Sequence, residues 1–172
     1  LKNILIDPEI FYMNPVKSRV SISEAYFKHK VKNFCIDSLN ELKKILPETD
    51  DANDLIIQIR LAVPNKYAKI KLLDKFGVSP SSVSSLIKEV KKKAFKIGIC
   101  FHPGSQCMSP LAYLRPMEKI LTITKTLGIK IDYLNIGGGF PSTYIEMTPP
   151  PLIEYFSIIK KKFNDFHMNE NI

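Results

Sequence analysis

Short apolar runs alternate along this chain with longer amphipathic stretches. The pattern predicts a strand followed by a helix about five times over. Ile10 to Met13 reads as a first strand, closed by Asn14-Pro15, and Ser18 to Lys30 reads as a helix. Asn33 to Ile36 is a second strand. Asp37 or Ser38 can cap a helix running to about Leu46, and Glu41 supplies an acid to its first turn. Pro47 and Asp50-Asp51 mark a loop. Leu55 to Leu61 is almost continuously apolar with one charged residue, Arg60, as expected of a strand buried on both faces of a parallel sheet. Lys69 to Gly77 is polar and ambiguous. Ser79-Pro80-Ser81 starts a helix to about Lys92. Lys96 to Phe101 is a fourth strand. Ser109-Pro110 begins a helix ended at Leu127 by Gly128. Ile131 to Ile136 is a fifth strand, followed by Gly137-Gly138-Gly139, and Pro149 to Phe166 is a last helix.

Repeated strand–helix units without hairpin signals imply an α/β fold with a parallel sheet and right-handed crossovers. Two architectures meet that description: a doubly wound sheet and part of a (β/α)8 barrel. Five units cannot close an eight-stranded barrel. The 172 residues fit one domain, with no linker, internal repeat or low-complexity segment.

Charge changes the picture little. Lys and Arg number 25 against 17 Asp and Glu, a net +8. Only Arg19, Arg60 and Arg115 are arginine, the usual bidentate reader of guanine and phosphate. Lysine spread over helix surfaces is the reading adopted, and no nucleic-acid partner is expected. No apolar run approaches the roughly 20 residues of a membrane helix, and Leu1-Lys2-Asn3-Ile4 lacks the plan of a signal peptide. A cytoplasmic protein without a membrane partner is expected. Cys35, Cys100 and Cys107 form no CxxC and have no partners at ligand spacing, so reduced thiols and no metal are expected.

In parallel α/β folds ligands bind beyond the C-terminal ends of the strands. Those ends here are Asn14-Pro15, Asp37-Ser38, Arg60, His102-Pro103-Gly104-Ser105 and Gly137-Gly138-Gly139. The triple glycine is either a tight turn or a backbone cradle for a phosphate. It matches neither GxGxxG, since Phe140-Pro141 breaks the spacing, nor a P-loop. His102 can stack on a flat ring or carry a proton, or be an idle loop residue. Ser105 can donate its hydroxyl to a phosphate. Arg60, near the end of an apolar strand, needs a partner: a bound anion, or a carboxylate such as Asp37. His29 and His167 receive no role, and the aromatic residues are read as core.

Together these strand ends resemble a known family. Phe101-His102-Pro103-Gly104-Ser105-Gln106-Cys107 and Leu134-Asn135-Ile136-Gly137-Gly138-Gly139-Phe140-Pro141 are similar to the eukaryotic-type ornithine decarboxylases, with their alanine-racemase-like barrel that binds pyridoxal 5'-phosphate (PLP). The bacterial ornithine/lysine decarboxylases look nearest, through Cys107-Met108-Ser109-Pro110 and Met147-Thr148-Pro149-Pro150-Pro151-Leu152. Tyr12 to Lys17, Phe34 to Ser38 and Lys75-Phe76-Gly77 also match. Pro103 stands where a small apolar residue is usual, and Asn135 where an aspartate is common.

The resemblance implies a PLP-binding (β/α)8 barrel and decarboxylation of ornithine to putrescine, or lysine to cadaverine. It implies that His102 stacks on the pyridine ring, that Ser105, Gly137, Gly138 and Gly139 hold the phosphate, and that Arg60 lies near the cofactor. Lys75 matches a lysine at the family's homodimer interface. The family's Schiff-base lysine, its Glu-Pro-Gly-Arg motif and its C-terminal β domain have no match in this sequence. Residues 1–172 are therefore expected to be an incomplete barrel domain, a central slice starting at Leu1, inactive in isolation. The alternative is a non-catalytic protein that binds PLP or a decarboxylase.

Overall fold

The computed structural model describes residues 8–63, 67–70 and 75–166. His167 and part of the ambiguous stretch after Lys69 lie outside them. The strands are β1 (Phe11–Tyr12), β2 (Asn33–Ile36), β3 (Ile56–Arg60), β4 (Ala68–Ile70), β5 (Lys96–Cys100), β6 (Ser105–Cys107) and β7 (Tyr133–Asn135). The helices are α1 (Arg19–Ser23), α2 (Leu39–Glu48), α3 (Val83–Lys91), α4 (Leu111–Leu127) and α5 (Leu152–Phe163).

The main sheet has the order β1-β2-β3-β5-β7, and every pair in it is parallel. This order separates the two candidate architectures. A doubly wound sheet reverses direction at a switch point, whereas here each new strand joins beside the last. Right-handed crossovers then put all the helices on one face, as in a barrel wall. The sheet is a half-barrel.

Register and alternation fix the two faces. Phe34, Ile36, Ile57, Ile59, Leu61, Ile97, Ile99 and Phe101 point one way and are buried in the main core. They meet Leu42 and Ile45 of α2, Val83, Leu86, Ile87 and Val90 of α3, and Met117 and Ile120 of α4. Each fully buried isoleucine contributes about 1.5–3 kcal/mol. The concave face carries Cys35, Gln58, Arg60, Gly98, Cys100, Tyr133 and Asn135. Gln58 pairs in register with Gly98, and Gly98 in turn with Tyr133. A Cβ on Gly98 would lie 2.6 Å from Gln58 Oε1, so the glycine makes room for that buried amide.

Helix ends follow the local chemistry. Ser18 and Ser38 cap α1 and α2, each accepting from the amide three residues on. Helix α2 runs past the expected Leu46 to Glu48, with Pro47 in its last turn. There a proline forfeits only one hydrogen bond, and the Thr49 hydroxyl donates to two carbonyls of the helix end, Ile45 O and Leu46 O. The helix expected over Ser18 to Lys30 stays regular only to Ser23, then widens to a π-helical turn over Glu24–Lys28. Gly128 closes α4 in the left-handed conformation.

One feature departs from pure strand–helix alternation. β4 and β6 form a separate two-stranded antiparallel ladder, Ala68 opposite Cys107 and Ile70 opposite Ser105. These strands are segments of the loops that follow β3 and β5. Three residues each, far apart in sequence, they leave no periodic or turn signal to read.

Candidate functional site

The loops leaving β5 and β7 lie against each other at the C-terminal edge of the sheet. Phe101 N donates to Asn135 O at 3.0 Å, and Cys107 N donates to Gly139 O at 3.0 Å. The contact is too close for side chains. A Cβ on Gly139 would sit 1.8 Å from Gly104 O, and one on Gly137 2.5 Å from Phe101 O. Both glycines also have positive φ, 84° and 72°. The two glycine-bearing strand ends thus form one corner.

Gly138 differs from its neighbours. A Cβ there would meet nothing within 4 Å. Gly138 and Gly139 offer N–H groups with no acceptor among the described residues, and the exposed Ser105 hydroxyl is likewise without a partner. Gly137 is engaged already: its N–H donates to Asn135 Oδ1 at 2.8 Å. Its task in the corner is shape. Asn135 acts there only as an acceptor, a task an aspartate would perform equally.

His102 is half-buried beside this corner. Its Nδ1 accepts from Gly104 N at 3.0 Å, so the neutral ring carries its proton on Nε2. Burial lowers its pKa, and the nearby Arg60 guanidinium lowers it further. Arg60, at the end of β3, packs its guanidinium over the Phe76 ring at 4.9 Å. It makes no ion pair with Asp37, whose carboxylate instead accepts from Gly77 N at 3.0 Å. Of the two partners expected for Arg60, the carboxylate is engaged elsewhere.

Aromatic residues of α4 and α5 back the corner. Tyr113 O–H donates to Gly138 O at 3.0 Å, and Tyr155 O–H donates to Cys107 O at 2.8 Å. Phe140 stacks on Tyr113 at 4.7 Å with rings 8° apart. On the opposite arm, Gln106 Oε1 accepts from Ser142 N at 3.1 Å. Sequence reading assigned these tyrosines to the core. Nothing in their spacing distinguishes a core hydroxyl that holds a loop from one that does not.

At the neighbouring strand ends Lys17 is buried. Its ammonium donates to the carbonyls of Asn14, Pro15 and Cys35, with Glu41 Oε2 at 3.6 Å. Desolvation lowers its pKa against the pull of Glu41. Cys35 and Cys100 meet on the concave face with sulfurs 3.6 Å apart, both as free thiols. Among the described residues no three His, Cys, Asp or Glu are placed to hold a metal ion, and no helix is long and apolar enough to cross a membrane.

A family profile described as pyridoxal-dependent decarboxylase, pyridoxal binding domain, matches residues 4–171. The chain belongs to that family. Among its relatives, the lysine/ornithine decarboxylase of Selenomonas ruminantium is 32% identical over 137 residues, 77% of this chain and 34% of that protein. The ornithine decarboxylase of Panagrellus redivivus is 34% identical over 143 residues, 80% of this chain and 32% of that protein. Antizyme inhibitor 2 of Homo sapiens is 31% identical over 139 residues, 78% of this chain and 29% of that protein. The crystal structure of an SrLDC mutant in complex with PLP superposes with a TM-score of 0.79 at 28% identity, covering 91% of this chain and 41% of that one. The chain spans about a third of the length of the curated relatives it matches.

The corner fits the cofactor that names the family. Two unengaged amides, one free hydroxyl and the open space at Gly138 suit a phosphate monoester. A neutral, oriented imidazole beside them suits a flat heteroaromatic ring.

Proposed function

We propose that this chain is the cofactor-holding part of a PLP-dependent decarboxylase acting on ornithine or lysine. The observation that carries the reading is the junction of the His102–Cys107 and Gly137–Ser142 loops, which hold two amides and one hydroxyl without a partner among the described residues. In this reading the N–H groups of Gly138 and Gly139 and the Ser105 hydroxyl hold the phosphate. Gly137 gives the loop its shape. His102 lies on the ring face, its neutral form favoured by burial and by Arg60. Arg60, free of any described carboxylate, adds positive charge at the cofactor. When bound, PLP supplies the conjugated ring that takes up the electron pair left as carbon dioxide departs.

Binding without turnover is the expected behaviour of the 172-residue chain by itself. Neither loop of the corner contains a lysine, and Lys17 is held by carbonyls and Glu41. Homodimerisation, with the exposed Lys75 at the interface, and a cytoplasmic location complete the reading. A second reading, a non-catalytic protein that binds the cofactor or a decarboxylase, is favoured by the relatives named antizyme inhibitor 2.

Equilibrium dialysis against pyridoxamine 5'-phosphate, and a separate incubation with PLP and carboxyl-labelled ornithine or lysine, test this. The wild-type chain should retain the amine form of the cofactor and Ser105→Ala should retain less, and the PLP incubation should release no more label as carbon dioxide than free PLP does. Absence of retention would overturn the cofactor reading. Release faster than that given by free PLP would overturn the reading of the isolated chain as a binder alone.

A further inference from the structure

Two buried tyrosine hydroxyls point at the corner from behind, one from each of the helices α4 and α5. Tyr113 is fully buried, and burial raises the pKa of its phenol, so the group stays a donor. Its O–H reaches Gly138 O at 3.0 Å. In a trans peptide the C=O of one residue and the N–H of the next point in opposite directions. A hydroxyl on α4 that draws the Gly138 carbonyl toward itself therefore turns the Gly139 N–H away from α4. That N–H has no acceptor among the described residues.

The ring of Tyr113 is fixed as firmly as its hydroxyl. Phe140 stacks on it at 4.7 Å, and Tyr155 meets it edge-on at 5.9 Å. Phe140 belongs to the same loop as the carbonyl being held. The loop is gripped twice by one side chain, through the Phe140 ring and through the Gly138 oxygen. The Cys107 thiol also lies within reach of the Tyr113 hydroxyl, and no other described group donates to Gly138 O.

We propose that Tyr113 is the positioning residue of the glycine corner: its hydroxyl sets the orientation of the Gly138–Gly139 peptide and so aims the Gly139 N–H at a phosphate-bearing ligand. The inference rests on the cofactor reading above and deepens it. Tyr155 is a different case. It holds the carbonyl of Cys107, whose peptide partner is the N–H of Met108, and that amide is already bonded to Tyr67 O at 3.1 Å.

The test compares wild type, Tyr113→Phe and Tyr155→Phe in the full chain, each removing one buried hydroxyl and keeping the ring. The probes are pyridoxamine 5'-phosphate and pyridoxamine, which differ only in the phosphate. Tyr113→Phe should weaken the phosphorylated probe about three- to tenfold, the worth of one hydrogen bond, and leave pyridoxamine unchanged. Tyr155→Phe should leave the ratio of the two affinities as in wild type. Hydrogen exchange over residues 137–142 without ligand should quicken in Tyr113→Phe, a readout independent of the cofactor. Equal binding by wild type and Tyr113→Phe, or equal loss of both probes, overturns the proposal. So does a matching phosphate-specific loss in Tyr155→Phe. If wild type fails to bind the phosphorylated probe, the cofactor reading falls. Unchanged exchange over 137–142 in Tyr113→Phe would then refute the tether on its own terms.

Discussion

The ring of Phe11 packs edge-on against Tyr133 with centroids 5.7 Å apart, although β1 and β7 are the opposite edges of the main sheet. The Tyr133 hydroxyl crosses the same gap to Glu9 at 2.9 Å, and Glu9 is also bonded by Asn33 Nδ2 at 2.9 Å. Five consecutive strands of an eight-strand ring put the first and fifth face to face across its axis. The two residues therefore record the curvature of a barrel wall directly. A double-mutant cycle with Phe11→Ala and Tyr133→Ala should give a coupling of about 1 kcal/mol, the usual worth of an aromatic pair. Zero coupling would mean that the edges do not meet in solution.

The glycines of the corner should separate by substitution. Gly139→Ala drives a Cβ into the Gly104 carbonyl, 1.8 Å away, at a positive φ. It should lower the melting temperature and abolish binding of pyridoxamine 5'-phosphate. Gly138→Ala meets no atom of the chain within 4 Å. It should melt like wild type and still bind the phosphorylated ligand more weakly, because the methyl enters the space left for the anion.

His102 should make stability fall on acidification. Burial and the Arg60 charge hold its folded pKa below the ordinary 6.5. The unfolded chain thus takes up the proton first as pH drops, and stability declines from about pH 6.5 down through the folded value. Above that window His102 contributes no pH dependence. Urea unfolding of wild type and His102→Gln between pH 5 and 7.5 checks the sign: the variant should show a shallower decline.

Lys17→Met should be costly. It leaves three carbonyls of a buried site without their ammonium, and Glu41 with Lys44 as its remaining partner. Breaking one side of such a site costs about 3 kcal/mol, read as a lower urea midpoint. A change below about 0.5 kcal/mol, the scale of an ordinary surface substitution, would mean that the site stays hydrated in solution.

Much of this molecule is legible in its sequence, for identifiable reasons. The strands at Asn33–Ile36 and Lys96–Cys100 stand out because a strand covered on both faces is apolar throughout. The helix stop at Gly128 follows from a left-handed residue that glycine adopts without strain. His102 and Gly137 to Gly139 were legible as a corner because both motifs fall just after strands. The β4–β6 ladder was not, since three-residue strands carry no period. Gln58 reads as one polar residue in an apolar run, yet it lies fully buried on the concave face opposite Gly98. The roles of Tyr113 and Tyr155 depend on where two carbonyls point, which no residue spacing encodes. Arg60 was legible as a charge needing company, but not its company, the face of Phe76.

In the proposed function the loops after β5 and β7 hold the phosphate of the family's cofactor. Thermal melting of the full chain with pyridoxamine 5'-phosphate, and separately with pyridoxamine, decides whether they do. The amine form is used because PLP would also react with the many surface lysines. A cooperative melt that rises with the phosphorylated ligand and much less with pyridoxamine is the predicted result, since a ligand that binds only the folded state raises its stability. An unchanged melt at saturating concentrations of both, or equal shifts with the two, would contradict it.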